Sequence, residues 1–304
     1  MISRSVLKAV TEQRWSWKEY LLNRITRLEV VLIPCLLLTF FWDNFASLRS
    51  SHSLLDLSFL TFFGNIFFLQ TIVVSSYGSN YPLWSLCNEF WYYLLFPFLV
   101  IAIVERKLVT KFLLLSLFVV CLWFIGSQIA LYFLIWLLGS VPIFLPPLSK
   151  KLRTLLEPLT PILLFIIIAI PSSFARLQSH LPMQLTEFAS DLISALFFAS
   201  SIYLATNYNP CQNQMTLWRK LSLQLASFSC TTYLVHAPVL NFLIAIFGTA
   251  SPSQKWQPDS RAIIYHLGIS LVILLYAGFI ASLTEANTGL VRNFVSKKLW
   301  PSHK

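Results

Sequence analysis

Apolar residues dominate the chain in long runs, which are separated by short charged or proline-rich breaks. A helix needs ~20 residues to cross ~30 Å of hydrocarbon. By this measure the pattern predicts eight membrane spans, several of which need tilt or flanking residues to reach across. They lie at about residues 28–42, 84–104, 112–126, 129–145, 158–174, 187–206, 225–248 and 262–284.

A ninth apolar run, at residues 57–74, contains Gly64, Asn65 and Gln70, so it either spans the membrane or lies flat. The distribution of Lys and Arg decides between these alternatives. If the run does not span and the N-terminus is cytoplasmic, 18 of the 22 Lys and Arg residues face the cytoplasm, which obeys the positive-inside rule. We therefore predict an all-α, polytopic transmembrane helix bundle of about eight spans, with both termini cytoplasmic.

Composition agrees with this picture, because 57% of the residues are hydrophobic and only 11% are charged, against ~25% charged in a soluble domain. We predict one domain, residues 1–304, made of a basic cytoplasmic segment (1–27), the bundle (28–284) and a cytoplasmic tail (285–304). The net charge of +10 lies mainly in loops that face anionic lipid headgroups, so the bilayer explains it without nucleic acid. The five cysteines lack ligand spacing, and we predict neither a disulfide nor a metal site.

The stretch LWSLCNEFWYYLLFP places the carboxylate of Glu89 inside a run of aromatic and aliphatic residues. On a helix Ser85 and Tyr93 lie one turn to either side, and Trp84 and Asn88 lie on the adjacent row. An ionised carboxylate at bilayer depth costs several kcal/mol unless it faces a partner or a wet cavity. The stripe should therefore point into the bundle, either as the wall of a site or as an interhelix hydrogen-bond clamp.

A second polar stripe appears in SFSCTTYLVHAPVL, where Ser229, Thr232, Tyr233 and His236 share one helical face. Imidazole titrates near neutral pH, so His236 is a candidate general base or acid. The alternative is a neutral histidine that hydrogen-bonds across helices. Pro238 predicts a kink that opens backbone carbonyls toward a cavity.

Arg24 and Arg27 form a third candidate group, three residues apart in NRITRLEVVLIP at the mouth of the first span. Both guanidinium groups project from one helical face. Arginine binds phosphate with paired hydrogen bonds, so the two side chains are suited to a pyrophosphate or to the 3′-phosphate of coenzyme A. The alternative is that they are only the positive-inside signal of a first span.

Together these motifs resemble the acyltransferase 3 family, the integral-membrane enzymes that O-acylate surface sugars and other hydroxylated acceptors. LWSLCNEFWYYLLFP is similar to the Trp-Ser-Leu…Glu motif of that family, and NRITRL to its Arg-x-x-Arg element. GNIFFLQ resembles its Asn-aromatic-Leu segment and SCTTYLVHAPVL its late Ser-Tyr…His…Pro motif. The order is that of the family, from about residue 15 to 295. ASLTEANTGLVRNF is a weaker match to the closing Val-Glu-Arg-Pro element, with Glu285 kept and Arg-Pro replaced.

The chain also departs from the family pattern. An Ile-Tyr-Pro run normally follows the Arg-x-x-Arg element closely, whereas here Glu29, Val30 and Val31 intervene and Pro34 is displaced. The family fold has ten spans, and its first helix carries the histidine regarded as the catalytic base. No residue of this chain aligns with that histidine. The resemblance therefore implies eight spans here, without the N-terminal two-helix hairpin.

The resemblance also implies a reaction, namely transfer of an acetyl or other short acyl group to a hydroxyl of a cell-surface carbohydrate or lipid-linked sugar. Acetyl-CoA or another acyl-CoA would be the donor, bound at the cytoplasmic face by Arg24 and Arg27, with no tightly bound cofactor. Glu89 and His236 would be catalytic, with Glu89 on the acceptor side, opposite the arginines. The site would be lined by Trp84, Ser85, Asn88, Tyr93, Ser229 and Tyr233.

The family also implies a location, the bacterial cytoplasmic membrane, and leaves room for a separate extracytoplasmic partner that completes the transfer. Two alternatives to an active enzyme stay open. One is an inactive or partner-dependent membrane scaffold without the first-helix histidine. The other is a glycolipid transporter, which the small number of glycines, 8 in 304 residues, disfavours.

Overall fold

The computed structural model describes residues 2–48, 55–156, 158–159, 162–163, 166–167, 183–207, 217–247 and 260–299. Regular structure in these ranges is helical, apart from one isolated β-bridge between Gln70 and Val74. This confirms the predicted all-α class. The α-helices are α1 (Ile2–Thr11), α2 (Trp17–Ser47), α3 (Phe59–Ile66), α4 (Leu83–Val104), α5 (Leu108–Leu138), α6 (Lys150–Leu156), α7 (Met183–Thr206), α8 (Leu217–Ser227), α9 (Ser229–Phe247), α10 (Ser260–Leu283) and α11 (Thr288–Leu299), with 3₁₀ turns at Val141–Ile143 and Glu285–Asn287.

Six helical segments within the described residues are long and apolar enough to cross a membrane, which is compatible with a multi-pass membrane protein. They are Trp17–Ser47, Leu83–Val104, Leu108–Ile143, Thr186–Thr206, Ser229–Ile246 and Ile263–Leu299. The predicted number of eight differs from this set in two places. The predicted spans 112–126 and 129–145 fall in a single segment, and most of the predicted span 158–174 lies outside the described residues.

Gly126 interrupts α5 at the boundary between the predicted spans 112–126 and 129–145. Its φ of 79° and ψ of 170° are not helical. Glycine adopts a positive φ at no steric penalty because it has no Cβ. α5 therefore consists of two helical stretches joined at this residue rather than one straight helix.

The apolar run at 57–74 forms the short helix α3 followed by turns. Ser58 caps its N-terminus, accepting a hydrogen bond from the backbone N–H of Thr61 at 3.2 Å. The eight residues of α3 rise only ~12 Å, far less than the ~30 Å of a bilayer core. This confirms the prediction that the run is not a spanning helix.

The chain divides into two compact units. The first comprises Met1–Trp15 and Leu95–Gln214, and the second comprises Ser16–Leu94 and Met215–Lys304. α4 therefore begins in the second unit and ends in the first. The single domain expected from the sequence stays a prediction.

Aromatic packing and one polar pair characterise the first unit. In α5 the ring of Phe133 stacks on that of Trp136, with centroids 6.0 Å apart. Tyr132 of α5 donates its hydroxyl to the carboxylate of Asp191 on α7 at 2.7 Å. This hydrogen bond gives a carboxylate in a candidate span the polar partner that it needs there.

The second unit is built around α9, which packs against both α2 and α10. Its most buried apolar side chains include Val31, Leu32 and Leu36 of α2, Leu234 of α9, and Ala277 of α10. Small residues such as Ala277 allow helices in a membrane to approach closely. This helix packing positions the start of α9 beside α2, where the candidate functional residues lie.

Candidate active site

The ten residues predicted from the sequence to form a site all lie in the second unit. They are Arg24 and Arg27 on α2, Trp84, Ser85, Asn88, Glu89 and Tyr93 on the first half of α4, and Ser229, Tyr233 and His236 on α9, with the roles given above. One compact unit therefore carries every candidate residue. The contacts among them decide which ones form a site.

Two hydrogen bonds set the direction of α4 relative to α2. Near the start of α2, Tyr20 donates its hydroxyl to the carbonyl of Tyr93 at 2.9 Å. Toward the end of α2, Thr39 Oγ1 accepts from Asn80 Nδ2 at 3.1 Å, just before α4 begins. The two helices are therefore antiparallel, and Glu89 lies between these two levels.

Tyr20 and Tyr93 hold the guanidinium group of Arg24 between their rings. The Cζ atom of Arg24 lies 5.3 Å from the ring centroid of Tyr20 and 5.4 Å from that of Tyr93, within the range of a cation–π interaction. Tyr93 donates its hydroxyl to the carboxylate of Glu89. The Tyr93 carbonyl would normally accept from the N–H four residues later, but that residue is Pro97, which has none. The carbonyl is therefore free to accept the Tyr20 hydroxyl.

Four charged side chains of the second unit lie near these tyrosines or at the start of α9, and we call them the charged cluster: Arg24, Arg27, Glu89 and Glu285. Arg24 lies over the ring of Tyr93, and the Tyr93 hydroxyl binds Glu89. Arg27 follows Arg24 one turn later on α2, and Glu285 binds Thr231 at the start of α9. Arg24, Glu89 and Glu285 are half-buried and Arg27 is exposed, and the two positive and two negative groups offset one another's charge.

The charged cluster differs from the sequence expectation, in which the arginines and Glu89 face opposite sides of the membrane. The reason is the depth at which α4 begins. Asn80 contacts Thr39, which lies eight residues before the end of α2 at Ser47. α4 therefore starts ~12 Å short of the end of α2, and this offset brings Glu89 toward the arginines.

Glu285 is the main site residue that sequence reasoning does not select. Its Oε2 accepts hydrogen bonds from the backbone N–H of Thr231 at 3.3 Å and from the Thr231 hydroxyl at 2.9 Å. The carboxylate thereby caps the first turn of α9, where the helix dipole favours negative charge. The available signal was the weak match to a closing motif, in which this glutamate survives.

Ser85, Tyr233 and His236 form a second group, which we call the hydroxyl–imidazole row. Ser85 donates its hydroxyl to Tyr233 Oη at 2.8 Å. His236 Nδ1 lies 2.7 Å from the carbonyl oxygen of Tyr233. A carbonyl only accepts hydrogen bonds, so Nδ1 is the donor, and the tautomer with its proton on Nδ1 has its lone pair on Nε2. His236 is thereby prepared to accept a proton at Nε2.

The remaining predicted residues are less closely joined to this row. Trp84 is 41% exposed, so it lies at the edge of the row. Ser229 is exposed and donates to the carbonyl of Ala226 at 3.0 Å, a local contact at the start of α9. Asn88 is buried, and its Oδ1 has no hydrogen-bond partner among the described residues.

The second unit therefore combines two chemical capacities. The arginines of the charged cluster are suited to bind phosphate groups, and the hydroxyl–imidazole row offers a proton acceptor beside two hydroxyl groups. Within the described residues, no group of three or more His, Cys, Asp and Glu side chains is placed to hold a metal ion.

Comparison with protein-family models gives no match, and neither curated proteins nor solved structures give one.

Proposed function

We propose that this chain is a membrane-bound acyltransferase, which moves an acetyl or other short acyl group from acyl-CoA to a hydroxyl of a carbohydrate or lipid-linked sugar. The observation that carries the proposal is the convergence of the motifs. NRITRL, LWSLCNEF, SCTTYLVH and SLTEAN come from four distant parts of the sequence. Their polar residues form the charged cluster and the hydroxyl–imidazole row of a single unit.

In the proposed reaction the arginines bind the donor. Arg27 is exposed and lies beside Arg24, so the pair can hold phosphate groups of coenzyme A in the way that guanidinium groups usually do. Tyr20 and Tyr93 keep Arg24 in position through their rings. Glu89 is fixed by the Tyr93 hydroxyl and limits the net positive charge of this region.

The acceptor is activated at His236. Nε2 removes the hydroxyl proton as the acceptor oxygen attacks the thioester carbonyl, and the Tyr233 carbonyl stabilises the imidazolium through Nδ1–H. Collapse of the tetrahedral intermediate breaks the carbon–sulfur bond, and the departing thiolate takes the proton from His236. The hydroxyl group of Tyr233, which accepts from Ser85 and keeps its own proton, is the nearby donor for the oxyanion.

The proposal includes the topology expected from the sequence, with eight spans and both ends in the cytoplasm of a bacterial cell. Gly126 supports this number because it separates the two spans that share α5. With the N-terminus inside, the start of α2 places Arg24 and Arg27 toward the cytoplasm, where acyl-CoA is made.

The donor site is tested with the full chain in lipid nanodiscs, supplied with acetyl-CoA, while free thiol and acetylated product are measured. Arg27→Ala should raise KM for acetyl-CoA by roughly 10- to 100-fold, the equivalent of losing a hydrogen bond to a charged group. Arg292→Ala is the matched control, because Arg292 of α11 binds Asn23 of α2 at 2.9 Å and should leave KM within about twofold. Equal effects of the two changes would contradict the donor assignment.

The base is tested in the same assay. His236→Gln keeps an amide near the Tyr233 carbonyl but removes the proton acceptor, so kcat should fall by roughly 100- to 10,000-fold with little change in KM. An unchanged kcat would remove His236 from the mechanism. A wild-type chain that neither transfers nor hydrolyses acetyl-CoA would instead favour the scaffold alternative.

A further inference from the structure

The segment from Leu55 to Pro82, which joins α2 to α4 and includes α3, has an unusual composition. Asp56 is its only charged residue. Loops that face water outside a membrane normally carry more charge and more polar surface. We call this part of the chain the joining segment.

The joining segment buries several polar side chains, together with Phe68 and Tyr77, and exposes several large apolar ones. Thr61, Asn65, Gln70 and Asn80 are almost fully buried, whereas Phe59 and Leu60 are 84% and 75% exposed. Phe63, Phe67 and Val73 extend the exposed apolar surface. A segment in water buries its apolar side chains, so this reversed arrangement matches a hydrocarbon environment.

The buried amides satisfy the backbone of the segment from within. Asn65 donates to the carbonyls of Thr61 at 2.7 Å and Ser75 at 2.9 Å, and accepts from the N–H of Tyr77 at 3.3 Å. Gln70 donates to the carbonyl of Leu83 at 2.8 Å. Irregular backbone persists at membrane depth only where its polar groups are paired in this way.

The position of the segment follows from its ends. α2 and α4 are antiparallel, so the segment leaves and returns on the same side of the bilayer. Asp56 is exposed at its beginning, and hydrogen bonds from Thr61 and Ser58 lower the pKa of its carboxyl to about 2. A carboxylate that stays charged marks the level of the lipid headgroups, so the segment enters the leaflet just below that level.

The exposed apolar surface continues to the hydroxyl–imidazole row. Tyr81 precedes α4 and is exposed, and Trp84 in its first turn is also exposed. The next residue is Ser85, whose hydroxyl meets Tyr233. A molecule that approaches the row from this side therefore passes an aromatic and aliphatic rim rather than a polar one.

We infer that the joining segment lies within the hydrocarbon of the leaflet that holds the end of α2 and the start of α4, and that the acyl acceptor is carried by a lipid in that leaflet. The second part rests on the proposed function. This second part restricts the acceptor to a hydroxylated headgroup that is attached to a hydrocarbon chain. Such a lipid reaches Ser85 and His236 by lateral diffusion in the membrane.

The position of the segment is tested by photo-crosslinking of the full chain in nanodiscs. Phe63→p-benzoylphenylalanine should give adducts with lipid acyl chains, detected by mass spectrometry. Lys8→p-benzoylphenylalanine in α1, which lies outside the six candidate spans, is the control and should give at least fivefold fewer adducts. Equal yields at the two positions would overturn the placement in hydrocarbon.

The acceptor class is tested by competition between dodecyl β-D-glucopyranoside and methyl β-D-glucopyranoside, which differ only in the alkyl chain, with acetyl-CoA as donor. Acetylated dodecyl glucoside should exceed acetylated methyl glucoside by at least tenfold. Equal or reversed yields would overturn the lipid-carried acceptor while leaving the acyltransferase proposal intact. No acetylation of either glucoside, in a sample that also leaves acetyl-CoA unconsumed, would reject both, and lipid adducts at Phe63 would still support the position of the segment.

Discussion

Asn80 donates its side-chain Nδ2 to the backbone carbonyl of Leu234, 2.8 Å away. Pro238, one turn further along α9, has no N–H, so this carbonyl has lost its helical donor. The same Nδ2 also donates to Thr39 Oγ1 at 3.1 Å. The side-chain amide of Asn80 thus connects the joining segment to α2 and α9. It also supplies the hydrogen-bond donor that Pro238 cannot give to the Leu234 carbonyl.

The first prediction concerns this amide. Asn80→Leu should lower the free energy of unfolding by about 1–3 kcal/mol, because it leaves the buried Leu234 carbonyl without a donor. The measurement is denaturation of the chain in mixed micelles, followed by circular dichroism.

The control for this prediction restores the missing donor. In a Pro238→Ala background, the N–H of the new alanine can bond to the Leu234 carbonyl, so adding Asn80→Leu should lower the free energy of unfolding by less than about 1 kcal/mol. The same loss in both backgrounds would show that the amide stabilises the fold by another route.

The second prediction concerns Gly78 in the joining segment. Its φ is +55°, in the left-handed region, and a Cβ at this position would collide with Oδ2 of Asp43. That carboxylate accepts from the backbone N–H of Ser79 at 2.7 Å, so it is not free to move away. Gly78→Ala should therefore lower the free energy of unfolding by about 1–3 kcal/mol.

Gly268 is the matched control for Gly78, because it lies in α10 and a Cβ there meets nothing within 4 Å. Gly268→Ala should be neutral, or stabilising by up to about 1 kcal/mol through helix propensity. Thermal unfolding of the two variants gives the comparison. Similar midpoints would rule out the proposed strain at Gly78.

The third prediction is a pH dependence that arises from Asp56. Hydrogen bonds from Thr61, Ser58 and Ser75 lower the pKa of this carboxyl from 3.8 to about 2. A lowered pKa means that the folded state binds the proton less tightly than the unfolded state. The stabilisation is therefore complete above pH 3.8 and is lost as the pH falls toward 2.

The measurement for Asp56 is the difference in thermal midpoint between wild type and Asp56→Asn across a pH series. The difference should stay constant from pH 7 to 5 and shrink below about pH 4. Thr61→Val removes the largest contribution to the lowered pKa, so it should move the loss of stability to higher pH. A difference that already changes between pH 7 and 5 would contradict this assignment.

Much of the fold follows from the hydrophobic pattern, because bilayer thickness fixes how long an apolar run must be. The charge distribution also excluded 57–74 as a span, and α3 is indeed too short to cross. The hydrophobic pattern does not reveal at which depth in the bilayer a helix begins. The offset of α4 depends on the buried contacts of Asn80 and Gln70, and these are long-range hydrogen bonds that no local periodicity encodes.

The same limit applies to the candidate site. Helical spacing correctly placed Ser85, Glu89 and Tyr93 on one row, and Glu89 bonds to Tyr93 within it. Spacing does not show which helix faces which, so the contact of Arg24 with the ring of Tyr93, whose hydroxyl binds Glu89, was not expected. The sequence did not predict Glu285 as a site residue because its carboxylate binds Thr231 of α9, 54 residues earlier in the chain.

The last prediction separates two roles of Glu285. Its carboxylate caps α9 through Thr231 and also contributes a negative charge to the charged cluster. Glu285→Ala removes both, and should lower the free energy of unfolding by about 1–2 kcal/mol, as loss of a helix cap does. Glu285→Gln keeps an oxygen that accepts from Thr231, so it should lose less than about half of that stability.

The charge role predicts an opposite effect on donor binding. Removing a negative charge from the charged cluster leaves more positive potential for the phosphates of coenzyme A, so Glu285→Gln should lower KM for acetyl-CoA by roughly two- to fivefold. Thr231→Val provides the contrast, because it weakens the cap without changing charge and should leave KM within about twofold. If Glu285→Gln raises KM, or destabilises the chain as much as Glu285→Ala, then the carboxylate does not divide its roles in this way, and its charge is needed to hold Arg27 in place.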